Sequence, residues 1–113
     1  MPNKTEEIFK LLGDETRLHI LDLLYHGPVC VCQITGVLEE PQAKISRHLA
    51  KLRDADLVKT LRKDQFVEYS INDNNIFLMQ IMEILQKKHD DPSLEVVRSR
   101  QHLKQHYLNQ CKI

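Results

Sequence analysis

The residues that could do chemistry in this chain begin with GPVCVCQIT (27–35), where Cys30 and Cys32 stand one residue apart; only one further cysteine, Cys111, occurs in the 113 residues. Two such thiols could form a disulfide, act as a redox pair with Cys30 as nucleophile and Cys32 as resolving thiol, grip a soft ion, or simply fill the start of a helix as small apolar side chains. Three cysteines make a poor disulfide framework, and a reducing compartment works against one. A small thiol oxidoreductase is disfavoured because C-x-C is not the C-x-x-C spacing and no βαβ pattern or other catalytic constellation accompanies it, so the chain does not read as an enzyme. Both thiols open a short helix expected over Val31 to Leu38, where unpaired backbone N–H groups and the positive end of the helix dipole suit negative charge. On a regular helix, residues two apart point about 200° from each other around the axis, so gripping one ion is expected to unwind that first turn.

The second chemistry-bearing set is basic. Net charge is zero, yet residues 1–40 hold three Lys/Arg and seven Asp/Glu, residues 41–63 seven and two, and residues 64–113 six and seven. The positive charge sits in one 23-residue block. Within it, Gln42, Lys44, Ser46, Arg47, His48 and Lys51 lie on the outer side of a helix whose apolar positions are Ile45, Leu49 and Leu52, a set of donors suited to phosphates and base edges. Histidines are the third set. His102 and His106 lie four apart, a spacing that can bring two imidazoles to one metal, with His89-Asp90-Asp91 nearby; they read as a surface pair rather than a zinc site. His19 and His26 read as structural or solvated.

The elements that must position these groups follow from local pattern. A helix over Lys4 to Leu12 ends at Gly13; Asp14 caps a second, Glu15 to His26, which Gly27-Pro28 closes. After the short helix from Val31, Pro41 suits the first turn of the basic helix. From Val58 the period becomes two: Val58 to Arg62, a polar Lys63-Asp64-Gln65 turn and Phe66 to Ile71 form a β-hairpin. Ile76 to Leu85 is apolar on nearly every side, which suits a dimer seam. Pro92-Ser93 start a last helix running to about Asn109, with Val96, Leu103 and Tyr107 on one stripe. An apolar fraction of 42% and a charged fraction of 28% are those of an ordinary globular chain. No run approaches the roughly 18 apolar residues of a membrane span, and MPNKTEEIFK carries charge where a signal peptide is apolar. A cytoplasmic protein with no membrane partner is expected. Two short helices joined tightly, the second cationic, then a basic hairpin, is the order of a winged helix-turn-helix. The expected fold is therefore mainly α with a small β-hairpin, one domain over 1–113: first helices 4–27, helix-turn-helix 31–54, wing 58–71 and C-terminal dimerisation helices 76–109.

LLGDETRLHILDLL (11–24), CVCQI (30–34), ISRHLAKLRDADLV (45–58) and FVEYSI (66–71) resemble, in order and spacing, consecutive segments of the ArsR/SmtB family of metal-responsive repressors, over about residues 5 to 88. The resemblance implies a homodimeric repressor of an arsenic or soft-metal resistance operon, seated on an imperfectly palindromic operator and released by an inducer ion. It implies As(III) or Sb(III), with Cd(II) and Pb(II) as soft relatives, held by Cys30 and Cys32. Cys111 is a third candidate ligand, arriving from the partner's carboxyl end, unless water or a small thiol completes the site. It also implies DNA contact by Gln42, Lys44, Ser46, Arg47, His48 and Lys51 with Arg62 and Lys63 of the wing, and a dimer interface including Ile8, Ile76, Met79, Ile81, Met82 and Leu85. A repressor of the same fold that senses peroxide or persulfide through the same thiols is the alternative. The chain departs from the family in three places: Thr35 stands where a third cysteine is frequent, Glu39-Glu40 where the corner carries glycine and an apolar residue, and Asp64-Gln65 where the wing turns through glycine and arginine.

Overall fold

A computed structural model describes residues 4–111, the last of them through its backbone alone. The order is α1 (Thr5–Leu12), α2 (Glu15–Tyr25), β1 (Val29–Cys30), α3 (Val31–Leu38), α4 (Gln42–Asp54), β2 (Val58–Lys63), β3 (Phe66–Ile71), α5 (Ile76–Gln86), α6 (Pro92–Ser99), a 3-10 turn (Gln101–Leu103) and α7 (Lys104–Cys111). This is a winged helix-turn-helix, with α3 and α4 as the helix pair and β2–β3 as the wing. Among the described residues no helix is long and apolar enough to cross a membrane.

Local chemistry sets most boundaries. The Asp14 carboxylate accepts the Arg17 backbone N–H at 3.1 Å, capping α2. Asn75 caps α5 through the Leu78 N–H, and Asp91 caps α6 with Pro92 in its first turn. Helix α2 is the axis of the core: Ile20, Leu21, Leu23 and Leu24 are all buried, and α1, α3, α4, α5 and α6 all pack on it. It also holds a fully buried carboxylate, Asp22, which accepts from Arg98 Nη2 at 3.1 Å and Gln86 Nε2 at 2.7 Å. Such a buried charge is tolerable only when paired and hydrogen-bonded, and this one ties α2 to α5 and α6.

Four expectations from sequence change here. The hairpin gains a third strand: the sheet order is β1-β3-β2, with Val29 opposite Tyr69 and Cys30 opposite Glu68. Two residues are too short to show a period, so β1 is set by pairing rather than pattern. The last helix is not continuous, because the chain turns at Arg100 and the 3-10 segment and thereby lays α7 along α3. Val96 consequently stays 58% exposed while the Tyr107 ring packs against Gly36, so the expected stripe of Val96, Leu103 and Tyr107 does not form. Ile8 and Met82, expected at the dimer interface, are buried in the protomer's own core because α1 and α5 turn those faces inward. The apolar side chains those helices leave outside are Phe9, Ile76, Phe77 and Ile84, with the Phe9 and Phe77 rings edge to face at 5.8 Å.

Candidate ion and nucleic-acid site

Cys30 is the N-cap of α3, with extended backbone (φ −92°, ψ 167°), and Cys32 is the second residue of that helix. Because the cap residue lies outside the helical spiral, the 200° rule for regular helices does not apply, and the two Sγ atoms lie 3.0 Å apart. The expected unwinding is thus unnecessary for convergence. That separation is well under twice a metal–thiolate bond of about 2.3 Å, so one soft ion can touch both sulfurs. Cys30 is a free thiol and is buried.

Gln33 completes a capping box: the Cys30 N–H donates to Gln33 Oε1 at 2.9 Å, and the Cys30 side chain accepts the Gln33 N–H. A pocket of about 220 Å³ opens beside Cys30, lined also by Gln33, Lys63, Phe66 and Glu68, so the wing forms one wall of the thiol site. Cys111 as a ligand rests on a side chain outside the described residues. Its helix, α7, packs on α3 of the same protomer. Among the described residues no group of three or more His, Cys, Asp or Glu could hold a metal ion. His102 and His106 are exposed, while His19 lies 3.2 Å from Ser93 Oγ and His26 2.9 Å from Gln86 Oε1.

The outer face of α4 presents Gln42, Ser46, Arg47 and Lys51 to solvent, and Arg62 and Lys63 are exposed on the wing. Arg53 is exposed on α4 as well, a cation inside the basic block that periodicity alone did not single out. Two residues behave differently from the sequence reading. Lys44 is half-buried and pairs with Glu40 at 3.1 Å. His48 faces inward, its Nδ1 3.2 Å from Arg17 Nη1 and its Nε2 3.9 Å from Asp14 Oδ1, bracing α4 against α2. Burial pushes the His48 pKa below the usual histidine value; Asp14 opposes this, while Arg17, Lys44 and Lys51 reinforce it. For Asp14, burial raises the pKa, but the Arg17 backbone N–H and the charges of His48 and Arg17 outweigh it and hold the carboxyl below its ordinary value. At neutral pH, then, a neutral imidazole accepts the Arg17 N–H at Nδ1.

A family model described as Bacterial regulatory protein, arsR family, matches residues 14–60. The chain is 46% identical over 66 residues to the arsenic resistance transcriptional regulator ArsR1 of Pseudomonas putida, a match covering 58% of this chain and 52% of that protein. It is 39% identical over 74 residues to the arsenical resistance operon repressor of Bacillus subtilis, covering 65% of this chain and 70% of the relative. Among solved structures, reduced HlyU from Vibrio cholerae N16961 superposes with a TM-score of 0.69 at 29% identity, covering 75% of this chain and 87% of that one. The chain thus spans about half the length of the first of these relatives.

Proposed function

From the premise that this chain belongs to the arsR family of bacterial regulatory proteins, we propose that it is a cytoplasmic, homodimeric transcriptional repressor. In this reading it leaves its operator when a soft ion binds at Cys30 and Cys32. The observation that carries this is the position of Cys30. One residue is at once the cap of α3, the first helix of the helix-turn-helix, and the strand partner of Glu68 in the wing. Any change in its backbone is therefore felt by both DNA-reading elements.

A thiophilic ion would be held by the Cys30 and Cys32 thiolates and would supply soft-ion coordination there. The chain's own part is to present those sulfurs already 3.0 Å apart and to hold Cys30 through the Gln33 capping box. As(III) or Sb(III) is the proposed inducer, with Cd(II) and Pb(II) as soft alternatives, and Cys111, water or a small thiol as the third ligand. Arg47, Lys51, Arg62 and Lys63 neutralise phosphate, whereas Gln42 and Ser46, at the leading end of α4, read base edges. The close approach of the Cys30 and Cys32 sulfurs, 3.0 Å, suits one second reading, in which oxidation of the same thiols is the signal.

The test is a titration of the reduced protein, bound to the duplex it selects from a random-sequence pool, with the four ions in parallel. Wild type is expected to release, Cys30→Ser and Cys32→Ser to bind DNA and stay bound, and Cys111→Ser to release at higher ion concentration. A wild type that stays on DNA with every ion, but leaves after peroxide with a mass change at the cysteines, replaces the ion reading with the oxidative one.

A further inference from the structure

Residues 92–111 lie outside the stretch matched to the family model, yet this segment touches α3 at both ends. At the start of α3, Gln33, which caps Cys30, donates from Nε2 to the Lys104 carbonyl at 3.1 Å. At its end stands Arg100. Its Nε donates to the Val37 carbonyl at 2.8 Å, its Nη2 to the Gly36 carbonyl and to Tyr107 Oη, each at 3.0 Å, and its Nη1 lies 3.2 Å from Glu39 Oε1.

Those two carbonyls need a donor. The backbone N–H groups of Glu39 and Glu40 both go to Thr35 O, so Gly36 and Val37 keep the orphan acceptors that a helix C-terminus leaves. The chain must also turn here through Glu39 in the left-handed region (φ 56°), which a residue with a Cβ adopts reluctantly. A corner without glycine is held from outside, by a planar guanidinium whose fork reaches both carbonyls at once. The Glu39 carboxylate is 67% exposed, so that ion pair orients the fork while the carbonyls carry the hold.

We propose that Arg100 is a positioning residue for DNA recognition: it fixes the corner between α3 and α4, and with it the angle at which α4 meets the major groove. The proposal rests on the reading of the chain as an operator-binding protein. It makes the C-terminal segment part of the DNA-reading machinery, although that segment presents no side chain to DNA in this scheme.

The experiment compares full-length wild type, Arg100→Met and Arg100→Lys on two duplexes, the one wild type selects from a random-sequence pool and a scrambled version of it, at one salt concentration. Loss of folded protein would weaken both duplexes alike, whereas a tilted recognition helix weakens the selected one, because phosphate contacts tolerate misalignment better than base contacts. Arg100→Met is expected to lose about tenfold on the selected duplex and less than about twofold on the scrambled one, a loss of at least about fivefold, or about 1 kcal/mol, in specificity. Arg100→Lys, which keeps the charge without the fork, is expected to fall between. If Arg100→Met fails to fold by circular dichroism, Arg100→Lys decides by the same ratio. Equal losses on both duplexes, or none, overturn the proposal. A wild type that selects no sequence overturns the repressor reading first, before any variant is made.

Discussion

His48 and Arg47 are neighbours with opposite duties. Arg47 is exposed and has no ion pair among the described residues, so its charge is available to phosphate; His48 is turned toward Arg17 and Asp14. Arg47→Ala is expected to lower the slope of log affinity against log salt by about one, and His48→Gln to leave the slope unchanged. His48→Gln acts on stability instead. With a folded-state pKa below the ordinary histidine value, His48 makes the unfolded chain bind more protons as pH falls below that value, and the fold loses stability there. Melting temperatures at pH 7 and pH 5 check this: the drop on acidification should be smaller in His48→Gln than in wild type. An equal drop in both would remove His48 as the titrating brace.

At the scale of elements, α3 is short, only eight residues, and is held from outside at both ends and along its side. Gly36 makes the side contact possible, because a Cβ there would run into the Tyr107 ring. Glycine inside a helix costs about 1 kcal/mol relative to alanine, so propensity alone would favour Gly36→Ala. Packing reverses the sign: the added methyl has to push Tyr107, and with it α7, off α3. Gly36→Ala is expected to lower the melting temperature and to speed amide exchange over residues 104–111. A higher melting temperature with unchanged exchange would mean that α7 is not seated on α3 in solution. The two turns where the family carries glycine show the same interplay, since Glu39 and Asp64 both adopt φ 56°. Asp tolerates that region through its short polar side chain, and Glu39 sits there beside Arg100.

For the whole molecule, the proposed homodimer would seat its second copy on the apolar surface shared by α1 and α5. Ile76 and Ile84 are each 71% exposed and stand eight residues apart on α5, near the same helix face. Burying such a side chain contributes about 1.5–3 kcal/mol, enough for a few of them to decide association. Ile84→Glu is expected to give a folded monomer by sedimentation at low micromolar concentration and to weaken DNA binding. A two-fold dimer reads two half-sites about 34 Å apart and a monomer only one. A variant that remains dimeric would place the seam elsewhere.

By itself the sequence determined the helices α1 to α5, the hairpin, the capping by Asp14 and the thiol pair at the start of α3. Each of these is encoded in side chains a few residues apart, where spacing, caps and turn residues act directly. Tertiary structure decided the rest. Whether Cys30 and Cys32 converge depends on Cys30 being extended, which its pairing with Glu68, 38 residues away, imposes. Whether Met82 faces a partner or the core depends on which side of an all-round apolar helix meets its neighbour, and whether His48 faces the DNA or α2 depends on which edge of a broad polar face does. Arg100 shows the limit most plainly: in sequence it is one cation among sixteen, and only the fold of α7 onto α3 brings its fork to the open carbonyls of Gly36 and Val37.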